Sequence, residues 1–169
     1  MRVGVSGGSR LRWMFVRGKV MAHNKEGTML FHEHKFKEAE SELRRAIAIF
    51  PEHEVSHLNL GMVLMAQNRL REAESEYRHA VRINPEFAEG FGELGHLFHR
   101  LGRKADARRY YDQAIKLDPY NAYFHINLAT LMRDEGDFSG ADKEYKTALA
   151  CPRLDEETRH HLHELLGGA

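Results

Sequence analysis

Residues 59–85, NLGMVLMAQNRLREAESEYRHAVRINP, decide the fold. Apolar residues fall three or four apart in two runs, Leu60, Val63 and Leu64, then Leu70, Ala73, Tyr77 and Ala80. That is the spacing of two helices, each with one apolar face. Asn68 between them tolerates the left-handed backbone that ends a helix, and Pro85 blocks continuation of the second. The same residue types recur 34 positions away in both directions. Gly27, Gly61, Gly95 and Ala129 form one series; Ala39, Ala73, Ala107 and Ala141 a second; Ala46, Ala80, Ala114 and Ala148 a third; and Pro51, Pro85 and Pro119 close three units. A fixed period of this length means repeated helical hairpins, each with an apolar face that a neighbouring unit must cover. Function is therefore sought on an extended surface rather than in a catalytic pocket.

Working outward, the units are 20–53, 54–87, 88–121 and 122–155. Each divides into two helices, at 20–33 and 36–50, 54–67 and 70–83, 88–101 and 104–117, and 122–135 and 138–150. The small residue at position 8 of a unit and the alanine at position 20 let the two helices of a hairpin approach closely. The alanine at position 27 leaves room for the first helix of the next unit. Gly102 and Gly136 supply the left-handed residue in the third and fourth hairpins. Beyond the repeats, Leu154 and Asp155 read as the staple and N-cap of a capping helix within 156–169, ending before Gly167. Upstream of Val20 the pattern lapses. Residues 1–19 are expected to be a basic, disordered head, because Gly4 to Gly8 form helix poorly, and Met14 and Met21 offer alternative starts.

Formal charge is zero over 169 residues, but six basic residues and no acid lie in 1–25, leaving 19 basic against 25 acidic beyond it. A net-negative repeat body argues against a nucleic-acid surface, which needs clustered Lys and Arg. The apolar run Trp13 to Val16 is too short for a signal peptide, and nothing approaches a membrane span. Cys151 is the single cysteine, so no intrachain disulfide forms, and a reducing, cytoplasmic setting is expected.

The runs Asn59-Leu60-Gly61, Leu94-Gly95 and Asn127-Leu128-Ala129, the pairs Ala73/Tyr77, Ala107/Tyr111 and Ala141/Tyr145, and the closures Asn84-Pro85 and Asp118-Pro119 resemble the tetratricopeptide repeat (TPR) family. The resemblance implies an all-α fold, a right-handed superhelical α-solenoid of four TPR helical hairpins plus the C-terminal capping helix. It also implies a concave wall, built by first helices, that takes a peptide or a helix of a partner. Carried onto this sequence, the groove positions are Asn24, Thr28, Val55, Leu58, Asn59, Met62, Met65, Glu89, Glu93, His96, Tyr123 and Asn127. The second unit is expected to expose an apolar patch of Val55, Leu58, Met62 and Met65, the type of surface that marks a contact site. Family members that clamp a chaperone's C-terminal carboxylate use basic and asparagine side chains. Here Asn24 and Asn59 match, but Thr28, Glu89 and Glu93 depart, and the two acids would repel a carboxylate.

Twelve histidines invite a metal reading. His23, His57 and His125 share position 4, which points to a shared packing role. Glu93, His96 and His99, three apart on one helix, converge poorly as ligands. The tail histidines His160, His161 and His163 are an exposed cluster, and the turn from Asp134 to Tyr145 lacks the ligands of a calcium loop. With no catalytic, cofactor or metal motif, the reading is a non-enzymatic protein-interaction adaptor or scaffold whose partner segment is apolar with basic residues. A self-assembling homo-oligomer is the alternative, and a metal-dependent enzyme on Glu93, His96 and His99 the remote one.

Overall fold

The computed structural model describes residues 7–167, with side chains described from Met14 onward. Among these residues there are nine helices and no strand: α1 (Gly7–His32), α2 (Phe36–Ile49), α3 (Glu54–Ala66), α4 (Leu70–Ile83), α5 (Ala88–Arg100), α6 (Lys104–Leu117), α7 (Ala122–Asp134), α8 (Phe138–Ala150) and α9 (Glu156–Gly167). They fall into two compact units. The first, to Pro85, holds α1–α4, and the second, from Glu86, holds α5–α9.

In unit 1 the pairs α1/α2 and α3/α4 are hairpins, and α3 packs on both α2 and α1. In unit 2, α5/α6 and α7/α8 are hairpins, α7 packs on α6 and α5, and α9 packs on α8. Position 8 is where the helices of a hairpin come closest. A side chain at Gly27 would meet the Leu43 side chain, one at Gly61 the Tyr77 ring, and one at Gly95 the Tyr111 ring. Those three covering residues and the alanines at positions 20 and 27 are all buried. Each hairpin turns through one left-handed residue at position 15, namely His34, Asn68, Gly102 and Gly136. The amide after each of them donates to the carbonyl five residues back, as in Arg69 to Leu64 and Arg103 to Phe98, both at 2.9 Å.

The first helix differs from expectation. Residues 7–19, read as a disordered head, continue α1 upstream of Val20, and residues 1–6 lie outside the described residues. Extending a helix that is already nucleated adds one hydrogen bond per residue without a new nucleation cost, so the segment needs little propensity of its own. At the other end, Asp155 accepts from the Thr158 amide at 2.8 Å and caps α9, and Leu162 is buried.

Candidate protein-interaction surface

The first helices of each unit carry the groove positions. In unit 1 a hydrogen-bonded chain ties α1 to α3. Asn59 Nδ2 donates to Asn24 Oδ1 at 3.4 Å and to Thr28 Oγ1 at 3.5 Å, and Asn24 Nδ2 donates to Ser56 Oγ at 2.6 Å and to the Val20 carbonyl at 3.1 Å. Ser56 Oγ is 2.8 Å from His53 Nδ1, which also accepts the Ser56 amide and caps α3. Burial, more than any neighbouring charge, holds the His53 ring below the usual histidine range, which suits its role as acceptor.

Asn24 is thus buried and occupied by the fold, although the family pattern puts it in the groove. Thr28 is exposed, and Asn59 and Met62 are half-buried. Thr28, Asn59, Met62 and Phe31 line a hollow of about 40 Å³ that reaches down to Gly27 and Leu43. The expected four-residue apolar patch is smaller than the sequence suggests. Val55 is exposed, but Leu58 and Met65 are only 9% and 8% exposed and belong to the core. Helix α3 is apolar on nearly all sides, so helical periodicity could not say which face was covered.

In unit 2, Glu89, His96 and Tyr123 are exposed, and Glu93 and Asn127 are half-buried. Phe124 of α7 lies so close over Gly92 of α5 that a Cβ there would sit 2.6 Å from its ring. His99 Nε2 meets Asp134 at 2.8 Å, while His96 Nδ1 is 4.0 Å from Glu93. Desolvation first, then the charges of His99 and Arg100, hold His96 below its usual value. Among the described residues, no group of three His, Cys, Asp or Glu side chains is placed to hold a metal ion. Tyr123 OH donates to Asp155 at 2.6 Å; that bond and those from Thr158 keep the carboxylate at about 2.

The position 4 histidines share one job. His23, His57 and His125 each place Nδ1 against a glutamate 19 residues on, Glu42 at 2.6 Å, Glu76 at 2.7 Å and Glu144 at 2.8 Å. His57 and His125 also aim Nε2 at a proline carbonyl of the preceding turn, Pro51 at 2.8 Å and Pro119 at 3.1 Å. The third repeat, 88–121, replaces both partners together, with Phe91 and Tyr110 at the same two positions and their rings stacked 6.5 Å apart. The sequence reading found the histidines but missed their glutamates. Comparing position 23 across units would have exposed the joint exchange.

His57 faces two acceptors, so both of its nitrogens donate only when it is protonated. At His57 burial opposes the charge, but the Glu76 hydrogen bond, the Pro51 carbonyl and the Glu76 charge outweigh it and raise the pKa above the usual 6.5. A raised folded value means that this contribution is complete below pH 6.5 and is lost as pH climbs through the folded value. Wild type should exceed Glu76→Gln in stability by about 1 kcal/mol at pH 6, and by less at pH 8.5. Urea unfolding of both proteins at the two pH values measures this, and a difference that grows with pH would contradict it.

Sequence profiles described as tetratricopeptide repeat match residues 24–88 and 58–122, and a second such profile matches residues 110–150. No functionally curated protein matches the chain in sequence. Several solved structures share the fold. One from a study titled a functional characterization of Pseudomonas aeruginosa pilF is 18% identical, with TM-score 0.77, covering 90% of this chain and 71% of that one. A MamA crystal structure is 16% identical, with TM-score 0.67, covering 95% and 98%. The first TPR of Spaghetti (RPAP3), bound to the HSP90 peptide SRMEEVD, is 19% identical, with TM-score 0.65, covering 70% and 94%. No described helix is long and apolar enough to cross a membrane. The 34-residue frame, the glycine-on-ring contacts at position 8 and the matching profiles across residues 24–150 agree, and the chain belongs to the tetratricopeptide repeat family.

Proposed function

We propose that this chain is a protein-interaction adaptor whose first helices hold extended partner segments, α1 and α3 in unit 1 and α5 and α7 in unit 2. The observation that carries the reading is Asn59, half-exposed at the rim of the hollow formed with Thr28, Phe31 and Met62. Its amide bonds of 3.4 and 3.5 Å are long, so a partner's backbone carbonyl competes for that donor readily while an apolar side chain enters the hollow. In unit 2, Glu89 and Glu93 of α5 favour basic residues, and Tyr123 and Asn127 are the groove positions of α7 that keep some exposure. The structural neighbour bound to SRMEEVD supports peptide binding as the mode, whereas the acids here disfavour so acidic a ligand. The single Cys151 leaves no intrachain disulfide to form, which fits a reducing cytoplasm as the setting.

Leu58 is unsuitable as a probe because its loss would open the core. Glu89→Lys leaves the core intact, and Asn59→Ala removes only the two long amide bonds to Asn24 and Thr28. Immobilised peptide libraries should show the wild type preferring apolar–basic over apolar–acidic segments, with binding about tenfold weaker in either variant when each is assayed well below its own melting temperature. Equal binding of both peptide classes, or variants that bind like wild type, would refute this reading.

A further inference from the structure

Positions 3, 7 and 10 of a first helix face the hairpin before it. In α3 these are Ser56, Leu60 and Val63, all fully buried, and in α7 they are Phe124, Leu128 and Leu131, where Phe124 packs on Ala114 of α6. The same positions of α1 are Ala22, Glu26 and Met29, and all three are exposed, Met29 by 48%. No hairpin precedes α1 among the described residues. Two turns upstream the face continues through Lys19 to Phe15, which is 65% exposed with the Lys19 ammonium 4.6 Å from its ring centre. This face is apolar along its centre and charged at its edge.

What covers it is indicated by register and charge. Phe15, Ala22 and Met29 are seven residues apart, so Phe15 and Met29 lie about 10.5 Å on either side of the small Ala22. Charge runs one way along the helix. No acid precedes Glu26 in α1, and no Lys or Arg follows Lys25. Basic residues in the N-terminal half oppose the helix dipole, so the order works against α1 in isolation. An antiparallel copy of the same helix offsets that penalty, because the basic N-terminal half of each then lies beside the negative end of the other's dipole and its single acid, Glu26.

We infer that this face of α1 binds a second copy of the chain, with the two α1 helices antiparallel about a two-fold axis at Ala22. Each Phe15 then packs on Met29 of the second copy, and each Lys19 lies beside Glu26 of the second copy. Ala22 at the axis permits close helix approach. The contact is isologous and therefore closes as a dimer rather than a filament. It uses a face distinct from the groove around Asn59 and stands or falls independently of the adaptor reading.

Sedimentation of the full chain across the micromolar range tests it. Wild type should show a monomer–dimer equilibrium. Ala22→Arg, a change at an exposed position, should be monomeric throughout with unchanged helicity and melting. Lys19→Glu should raise the dimer dissociation constant about tenfold, and Lys19→Glu with Glu26→Lys should restore it. A wild type that stays monomeric, or one whose self-association survives Ala22→Arg, overturns the inference. So does a double reversal that fails to rescue. In the last two cases association would lie on another surface, a groove or the opposite end of the chain.

Discussion

Tyr111→Ala is expected to lose about 3–5 kcal/mol of stability, because it removes one of the largest buried side chains in unit 2 and leaves a void under Gly95. The ring is 1% exposed, and burial, with the Glu93 charge second, raises its phenol well above the ordinary tyrosine value. The ring lies directly against Gly95, so filling the void requires α5 and α6 to move together. Chemical unfolding followed by circular dichroism gives the number. Tyr120→Ala serves as the control, because Tyr120 is 68% exposed and its loss should change stability by about 0.5 kcal/mol or less. A Tyr111→Ala loss below about 1 kcal/mol would mean that the hairpin repacks, and the position 8 contact would then not be what sets helix separation.

The complementary change adds bulk on the other side of such a contact. Gly61→Val is expected to cost about 2–3 kcal/mol, since any Cβ at this position already runs into the fully buried Tyr77 ring and the two γ-methyls would run further. Helix propensity works in the opposite direction, as glycine is about 1 kcal/mol worse than alanine in a helix interior. Gly61→Ala therefore sits near neutral, with the propensity gain offsetting the clash. The protein carries the same compromise in its fourth unit, where Ala129 faces Tyr145 and both remain buried. The two substitutions should differ by at least about 1.5 kcal/mol in urea unfolding. Equal stabilities would show that α3 and α4 can separate freely.

Much of the architecture was readable from residue spacing. The second helices at 70–83 and 104–117 begin and end where the apolar pattern and the following prolines place them, and Asn68, Gly102 and Gly136 turn the chain where left-handed residues were expected. These features depend on local chemistry, namely one residue's tolerance of a backbone angle or the lack of an amide at proline. His34 takes the left-handed turn of the first hairpin without any such signature, in the same pattern of amide bonds, its own to Phe31 and that of Lys35 to Leu30. The extension of α1 to Gly7 was likewise invisible, since continuing a helix needs far less from the sequence than starting one.

The groove was only partly legible. The positions of Thr28, Asn59, Met62, Glu89, His96 and Tyr123 leave them accessible, whereas Asn24, Leu58 and Met65 are taken up by the interior. A polar or apolar residue at a groove position does not reveal whether another element already uses it, and Ser56 with His53 decides that for Asn24. The period and the small residues by themselves determined that helical hairpins repeat and where their helices touch, because steric exclusion at a contact is written in the residue that must stay small. Which side chains remain free to meet another molecule was decided only by the tertiary structure, because solvent exposure depends on what packs against a face from elsewhere in the chain.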